Sequence, residues 1–337
     1  MTEPILTFDD VVVAYRQRRS LGNAPAVNGV SFQLFSGESL GLVGESGSGK
    51  TSIGAAVVGL APVRSGRISF NGEDITHLRS PKRRALSSDI QVIFQDPLSS
   101  LNPDRTIGQT LSEPLLVQRT STKREIQSAV TAMLGRVGLE EESAALYPSQ
   151  FSGGQRQRIA IARALMVSPR LVICDEAVSA LDLSVQAQIL NLLLALQQEL
   201  SLSYLFISHD IDVVKHMCER IVVLYRGKVM EVGDSRQICA HPNHPYTEEL
   251  INSIPVPDPL LQKSRREERQ SRRQEIENVD SSLQVGPEAG GCPFFVRCPI
   301  SVPRCRVDDP KLLVAPSGSL SACHLRATYP AVRSRAI

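Results

Sequence analysis

Leu40-Gly41-Leu42-Val43 runs without a break into Gly44-Glu45-Ser46-Gly47-Ser48-Gly49-Lys50-Thr51, and Thr51–Leu60 continues in the small and β-branched residues of a packed helix. No other stretch constrains the fold as tightly. A short apolar strand, a loop matching G-x-x-x-x-G-K-[ST] and a helix together form a phosphate-binding unit. The glycines permit backbone conformations in which successive N–H groups point inward at phosphate oxygens. The start of the helix adds its partial positive charge. Gly44, Glu45, Ser46, Gly47, Ser48 and Gly49 are therefore expected to cradle a nucleotide's phosphates, with Lys50, Thr51 and Ser52 opening the helix. Lys50 should reach the β- and γ-phosphates, and the Thr51 hydroxyl should hold Mg²⁺.

Around this unit the chain alternates strand and helix patterns. Residues 4–16 and 26–43 read as strands joined by a polar loop, Arg16 to Pro25. Ile90–Phe94, Leu171–Cys174 and Tyr204–Ile207 read as buried strands, and Leu183–Leu200 as a long amphipathic helix. Such alternation predicts a parallel sheet with helices on its faces. Residues 96–165 interrupt it with mostly helical periodicity and read as an insert.

Leu171–Asp175 is an apolar strand that ends in a carboxylate, as a second Mg²⁺-holding element should. Glu176 follows at once. Successive strand residues point to opposite sides, so the two acids should have different tasks. Asp175 is expected to face the metal through water, and Glu176 to act as the general base on the attacking water.

Between the phosphate loop and this strand stands Phe151-Ser152-Gly153-Gly154-Gln155. The ordered triplet resembles the ATP-binding cassette (ABC) ATPases, and Ser152–Gln155 matches their signature motif. The resemblance covers roughly residues 4–255. It implies an α/β P-loop domain with a RecA-like core, an N-terminal antiparallel β subdomain and a helical subdomain (about 96–165) that carries the signature. It further implies that Ser152, Gly153, Gly154 and Gln155 contact nucleotide bound to the opposite subunit of a dimer. Bare N–H groups at a helix start suit that anion. By the same resemblance Tyr15 stacks on adenine, Gln95 senses Mg²⁺ and the attacking water, Asp182 lies in the loop (Ser179–Asp182) that couples the two sites, and His209 contacts the γ-phosphate. Ala177 departs from the pattern, which commonly has proline after the catalytic glutamate. The change loosens a loop without removing a catalytic group.

Gln95-Asp96-Pro97-Leu98-Ser99-Ser100-Leu101-Asn102-Pro103 and Asn243-His244-Pro245-Tyr246-Thr247 resemble segments of the oligopeptide and dipeptide importers. Cys174-Asp175-Glu176 with Ser184–Gln188 is more like the second of the two ATPase subunits such systems use. Of seven cysteines, Cys174, Cys218 and Cys239 are scattered and read as packing residues, while Cys292, Cys298, Cys305 and Cys323 crowd the tail. In a reducing compartment crowded thiols bind metal more often than they form disulfides. Zinc sites usually pair ligands as C-x2–4-C, which is absent here. Iron–sulfur ligands are spaced more widely and are sometimes followed by proline, as in Cys292-Pro293 and Cys298-Pro299. The tail resembles the cysteine-bearing extension of peptide importers, for which a four-iron, four-sulfur cluster is implied, with zinc as the alternative.

The expected organisation is a nucleotide-binding domain over 1–235, an extension over 236–261 with the His-Pro-Tyr motif, a mixed-charge linker over 262–290, and a small irregular cysteine-rich domain over 291–337. The net charge of +2 provides no field for nucleic acid. No apolar run reaches the roughly 18–20 residues of a membrane span, and Met1-Thr2-Glu3-Pro4 lacks the features of a signal peptide.

The resemblance then implies an ATPase on the cytoplasmic face of a bacterial inner membrane. It would pair with a second ATPase subunit, two membrane permease subunits and an extracytoplasmic substrate-binding protein, and couple MgATP hydrolysis to peptide uptake. Nickel, glutathione or sugar remain alternative cargoes. ABC proteins that act on DNA or ribosomes carry long coiled-coil inserts or two cassettes. This chain has one cassette and no sustained heptads.

Overall fold

The computed structural model describes residues 3–15, 25–96, 100–119, 121–253 and 290–326, with the backbone of 329–330. Most of the expected loop Arg16–Pro25, residues 97–99 and the charged linker up to residue 289 lie outside them.

In chain order the first elements are β1 (Pro4–Val13), β2 (Val27–Phe35), β3 (Ser39–Val43), α1 (Lys50–Val57), β4 (Val63–Phe70), β5 (Glu73–Asp74), α2 (Ser80–Ala85) and β6 (Ile90–Ile93). Next come α3 (Ile107–Gln118), α4 (Lys123–Arg136), α5 (Gly153–Leu165), β7 (Leu171–Asp175), α6 (Leu183–Leu200), β8 (Ser203–Ser208) and α7 (Ile211–Met217). The rest are β9 (Arg220–Tyr225), β10 (Lys228–Asp234), α8 (Ser235–Ala240), α9 (Pro245–Asn252), α10 (Arg304–Val307), β11 (Leu313–Val314), β12 (Leu320–Ser321) and β13 (Tyr329–Pro330).

The main sheet has the order β13-β11-β12-β10-β9-β3-β8-β7-β6, and β9-β3-β8-β7-β6 is parallel throughout. Every residue of β3 is buried, as a strand covered on both faces must be. Alternation along β8 shows the two faces. Leu205 and Ile207 join the core beneath α1 and the smaller antiparallel sheet, β2-β1-β4-β5. Tyr204 and Phe206 join the core that holds α3 to α7 and part of the tail. Helix α6 meets that second core along Ile189, Leu190, Leu193 and Leu196, spaced one helical turn apart.

Residues 26–43 form two strands in different sheets. The chain turns at Ser36-Gly37-Glu38, where Gly37 has φ 78°. Gly37 N–H donates to Ser203 Oγ at 2.9 Å, tying the turn to the start of β8.

The tail's strands extend the main sheet. β12 pairs with β10 (Glu231↔Ser321, Val232↔Leu320), and Ala322 N–H donates to Met230 O at 2.8 Å. The fully buried Glu231 carboxylate accepts from Asn243 N–H, His244 N–H and Ser319 Oγ, each at 2.9 Å. A buried carboxylate is tolerable only with such partners. This one joins β10, the His-Pro-Tyr segment and the tail at a single point. His244 is buried and held neutral, its pKa pushed down to about 3 chiefly by that burial. Its Nδ1 caps α9 by accepting from Tyr246 N–H at 3.0 Å, and its ring also donates to the Ala322 carbonyl. Cys174 and Cys218 are buried and Cys239 partly so, and burial raises all three thiol pKa values.

Candidate active site

Parallel strands deliver their loops to one edge of the sheet, where ligands of α/β proteins bind. β3 delivers the phosphate loop, β7 delivers Asp175 and Glu176, and β8 delivers His209. β6 delivers the exposed Gln95, since Ile93 registers with Cys174.

The phosphate loop is shaped by its glycines. Gly44 has φ 156° and Gly49 φ 103°. A Cβ on Gly44 would overlap the Leu224 carbonyl, and one on Gly49 the Ala26 carbonyl, so any side chain would push the loop off its supports. Lys50 is buried at the start of α1. Its Nζ donates to Glu45 O at 2.9 Å and Gly44 O at 2.6 Å. Burial lowers its pKa, partly offset by Glu176, Asp175 and Glu45.

Thr51 Oγ1 donates to Asp175 Oδ1 at 3.2 Å, which brings together two of the residues expected to hold Mg²⁺. Burial raises the Asp175 pKa, and the neighbouring Glu176 raises it further. Two acids that crowd one another are a site that a cation would relieve.

Strand β7 ends at Asp175, and Glu176 has φ 50°. Strand alternation therefore does not separate the two acids. A left-handed backbone at Glu176 does, a conformation that costs a non-glycine residue about 1–3 kcal/mol and concentrates at functional sites. Glu176 N–H donates to Ile207 O at 2.9 Å, and Ser179 N–H returns to Glu176 O at 3.1 Å. Ala177, where proline was expected, and the following Val178 are buried and pack the turn. His209 Nδ1 lies 3.4 Å from Glu176 Oε1.

The signature segment opens α5 with a capping box: Gln155 N–H donates to Ser152 Oγ at 3.4 Å and Ser152 N–H to Gln155 Oε1 at 2.9 Å. Ser152 and Gly153 are exposed. A Cβ on Gly154 would run into Val185 of α6, so this glycine also allows two helices to approach closely. Asp182 caps α6, accepting from Val185 N–H at 3.0 Å and Ser184 N–H at 3.1 Å. These bonds, led by Val185, hold its pKa below the usual carboxylate range. Tyr15 is half-exposed, its hydroxyl donating to Ser52 Oγ at 3.2 Å.

Sequence reasoning missed the partners of Glu45. Arg297 Nη1 and Nη2 donate to its two carboxylate oxygens at 2.9 and 2.8 Å. Tyr246 Oη accepts from its N–H at 2.9 Å. The one available signal was an acid within a loop built for anions.

Cys292, Cys298, Cys305 and Cys323 line one small cavity of about 20 Å³, together with His244 and Phe295. Cys292 sulfur accepts from Phe294 N–H and Cys298 sulfur from Ile300 N–H. Burial nevertheless pushes their pKa values up to about 11 and about 12. Among the described residues no group of three or more His, Cys, Asp or Glu is arranged to hold a metal ion. The zinc alternative gains no support from this arrangement. The iron–sulfur expectation gains no direct support.

A strand–loop–helix phosphate cradle, a Thr–Asp pair beside it and a glutamate at the same sheet edge define a P-loop ATPase. The family profile described as "ABC transporter" matches residues 27–179. The profile described as "Oligopeptide/dipeptide transporter, C-terminal region" matches residues 230–305. The chain is 43% identical over 329 residues to the oligopeptide transport ATP-binding protein AppF of Bacillus subtilis, covering 96% of this chain and 98% of that one. It is 44% identical over 290 residues to OppF of Salmonella typhimurium, covering 85% and 84%. Among solved structures it resembles cbiO1 of Clostridium perfringens (TM-score 0.64, 28% identity, 71% of this chain and 91% of that one). It also resembles the ATP-binding cassette MJ0796 bound to ADP and Pi (TM-score 0.61, 27% identity, 68% and 99%). The chain belongs to the ABC transporter ATPases, in their oligopeptide/dipeptide importer family, and is an ATP hydrolase. Among the described residues no helix is long and apolar enough to cross a membrane.

Proposed function

We propose that this chain is one of two different ATPase subunits of a peptide importer and sits peripherally on the cytoplasmic face of the inner membrane. There it pairs with its partner ATPase beneath two permease subunits served by an extracytoplasmic binding protein. The observation that carries the peptide reading is the C-terminal match over 230–305, which takes in both the His-Pro-Tyr motif and the first three tail cysteines.

In this reading Tyr15 stacks on adenine, and the loop from Gly44 to Ser52 holds the phosphates. Lys50 leaves the Gly44 and Glu45 carbonyls for the β- and γ-phosphates. Thr51, Asp175 and Gln95 are the residues to hold Mg²⁺, which when bound offsets the charge of the β- and γ-oxygens. Glu176 takes the proton of the attacking water, and His209, beside it, contacts the γ-phosphate. Ser152, Gly153, Gly154 and Gln155 complete the partner's site, and Asp182 couples the two. Catalysis on such a scaffold is positioning and charge stabilisation, and the closure it drives moves the permeases.

For the tail, the reading is a four-iron, four-sulfur cluster, supported by four thiols that line one cavity. Binding would take all four as thiolates, against the raised pKa values of Cys292 and Cys298, so a positive metal core has to offset the burial of charge. Anaerobic purification is expected to yield about four iron and four sulfide per chain, both lost in Cys298→Ser. Zinc alone, or no metal, removes the cluster from the reading and leaves the ATPase untouched.

The transport reading is tested by reconstituting the chain with its permeases, partner ATPase and binding protein in vesicles. ATP-dependent accumulation of labelled peptides is expected. Accumulation of nickel, glutathione or sugar instead reassigns the cargo, and efflux reverses the direction.

A further inference from the structure

Arg297 stands between two tail cysteines and 252 positions along the chain from its partner Glu45. It is held by two aromatic rings and two carboxylates, with part of its surface exposed. Its guanidinium lies 5.6 Å from the Tyr225 ring centroid and 5.5 Å from that of Phe294. It also pairs with Glu249 on α9. What remains of the fork is spent on Glu45, bidentately, and Glu45 belongs to the phosphate loop.

That acid has a peculiar place. An anion-binding loop with a carboxylate inside it repels its own ligand unless a cation stands beside the acid. Its peptide also matters, since the Glu45 carbonyl receives Lys50 Nζ at 2.9 Å and the Glu45 N–H is held by the Tyr246 hydroxyl at 2.9 Å. Tyr246 is fully buried, its ring 5.5 Å from Phe294 and 4.6 Å from Tyr225. The N–H and the carboxylate of Glu45 are thus both gripped by the C-terminal region.

We propose that Arg297 is a positioning residue of the nucleotide site: it neutralises Glu45 and, with Tyr246, holds the phosphate loop in the shape that presents Lys50 to the β- and γ-phosphates. The tail is then a structural part of the ATP site, whatever its cysteines hold and whatever cargo the transporter carries. The inference rests on the ATPase assignment alone.

Full-length protein, assembled with its transporter subunits, provides the test. Arg297→Ala is expected to raise the KM for MgATP about tenfold, while kcat falls less than about threefold. A bidentate pair within a network exceeds the usual worth of an exposed ion pair, and about 1.4 kcal/mol is tenfold. Adding Glu45→Gln to Arg297→Ala should recover most of the loss, because no unpaired charge then faces the phosphates. Arg326→Ala breaks another tail contact, Arg326 Nη1 to Glu248 Oε2 at 3.0 Å, without touching the loop, and should leave KM unchanged.

An unchanged KM in Arg297→Ala overturns the proposal. So does a rise that Glu45→Gln fails to relieve, or an equal rise in Arg326→Ala, either of which marks general loosening of the tail. Should Arg297→Ala not fold, Arg297→Lys keeps the charge and loses the fork. Its expected KM is intermediate, and a wild-type KM overturns the proposal.

Discussion

Glu176→Gln is expected to lower ATP turnover by roughly 10²–10⁴-fold, the range a general base contributes, while leaving MgATP binding within about threefold of wild type, an amide being nearly isosteric with the carboxylate. An amide keeps the shape of the side chain and cannot take a proton. The left-handed backbone at Glu176, φ 50°, is held from both sides by Ile207 O and Ser179 N–H, so the substitution leaves the turn in place. A variant that binds and does not hydrolyse should accumulate as the ATP-bound closed dimer. Light scattering with and without MgATP reads that accumulation, and phosphate release reads turnover. Turnover at the wild-type rate in the assembled complex removes Glu176 from the role of base. The buried Ala177 and Val178 make the same point about the missing proline: the turn is fixed by packing, and wild-type protein should hydrolyse ATP without it.

How much of this was legible in the sequence depended on distance along the chain. The phosphate loop was readable because strand, glycines and helix follow one another in the chain, even though some of the contacts that hold it come from far away. β7 and β8 were readable because buried parallel strands are continuous apolar runs. β11, β12 and β13 were not, since two-residue strands carry no period and β12 depends on partners far along the chain, β10 among them. The separation of Glu176 from Asp175 was read from strand alternation and comes instead from a positive φ, which cannot be read from a glutamate. Signature glycine Gly154 was read only as a donor to phosphate, yet Val185 needs its missing side chain as well. Asp182 likewise caps α6 whatever else it does. Arg297 and Glu45 were invisible as a pair, since nothing local joins positions in the first and last fifths of the chain.

Lys50→Ala is expected to weaken MgATP binding by about 10²-fold and kcat/KM by about 10³-fold, comparable to deleting a donor aimed at developing charge, without weakening the fold. The second half of that expectation separates the site from the scaffold. Burial lowers the Lys50 pKa in the folded chain. A lysine lowered on folding costs stability below its unfolded value near 10.4, and the cost fades as pH rises through the folded value. At neutral pH Lys50 is therefore retained against stability, with the carbonyls of Gly44 and Glu45 and the Ser48 hydroxyl to receive it. Replacing it should leave the melting temperature unchanged or raised, most visibly at neutral pH and least where the wild-type lysine is already neutral. Equilibrium titration with MgATP reads affinity, and thermal unfolding at two pH values reads the stability side. Wild-type affinity would place the phosphates out of reach of Lys50. A large drop in melting temperature would mean that the lysine holds the loop together by its own contacts, and the acid-rich edge of Asp175, Glu176 and Glu45 would then need the cation even without nucleotide.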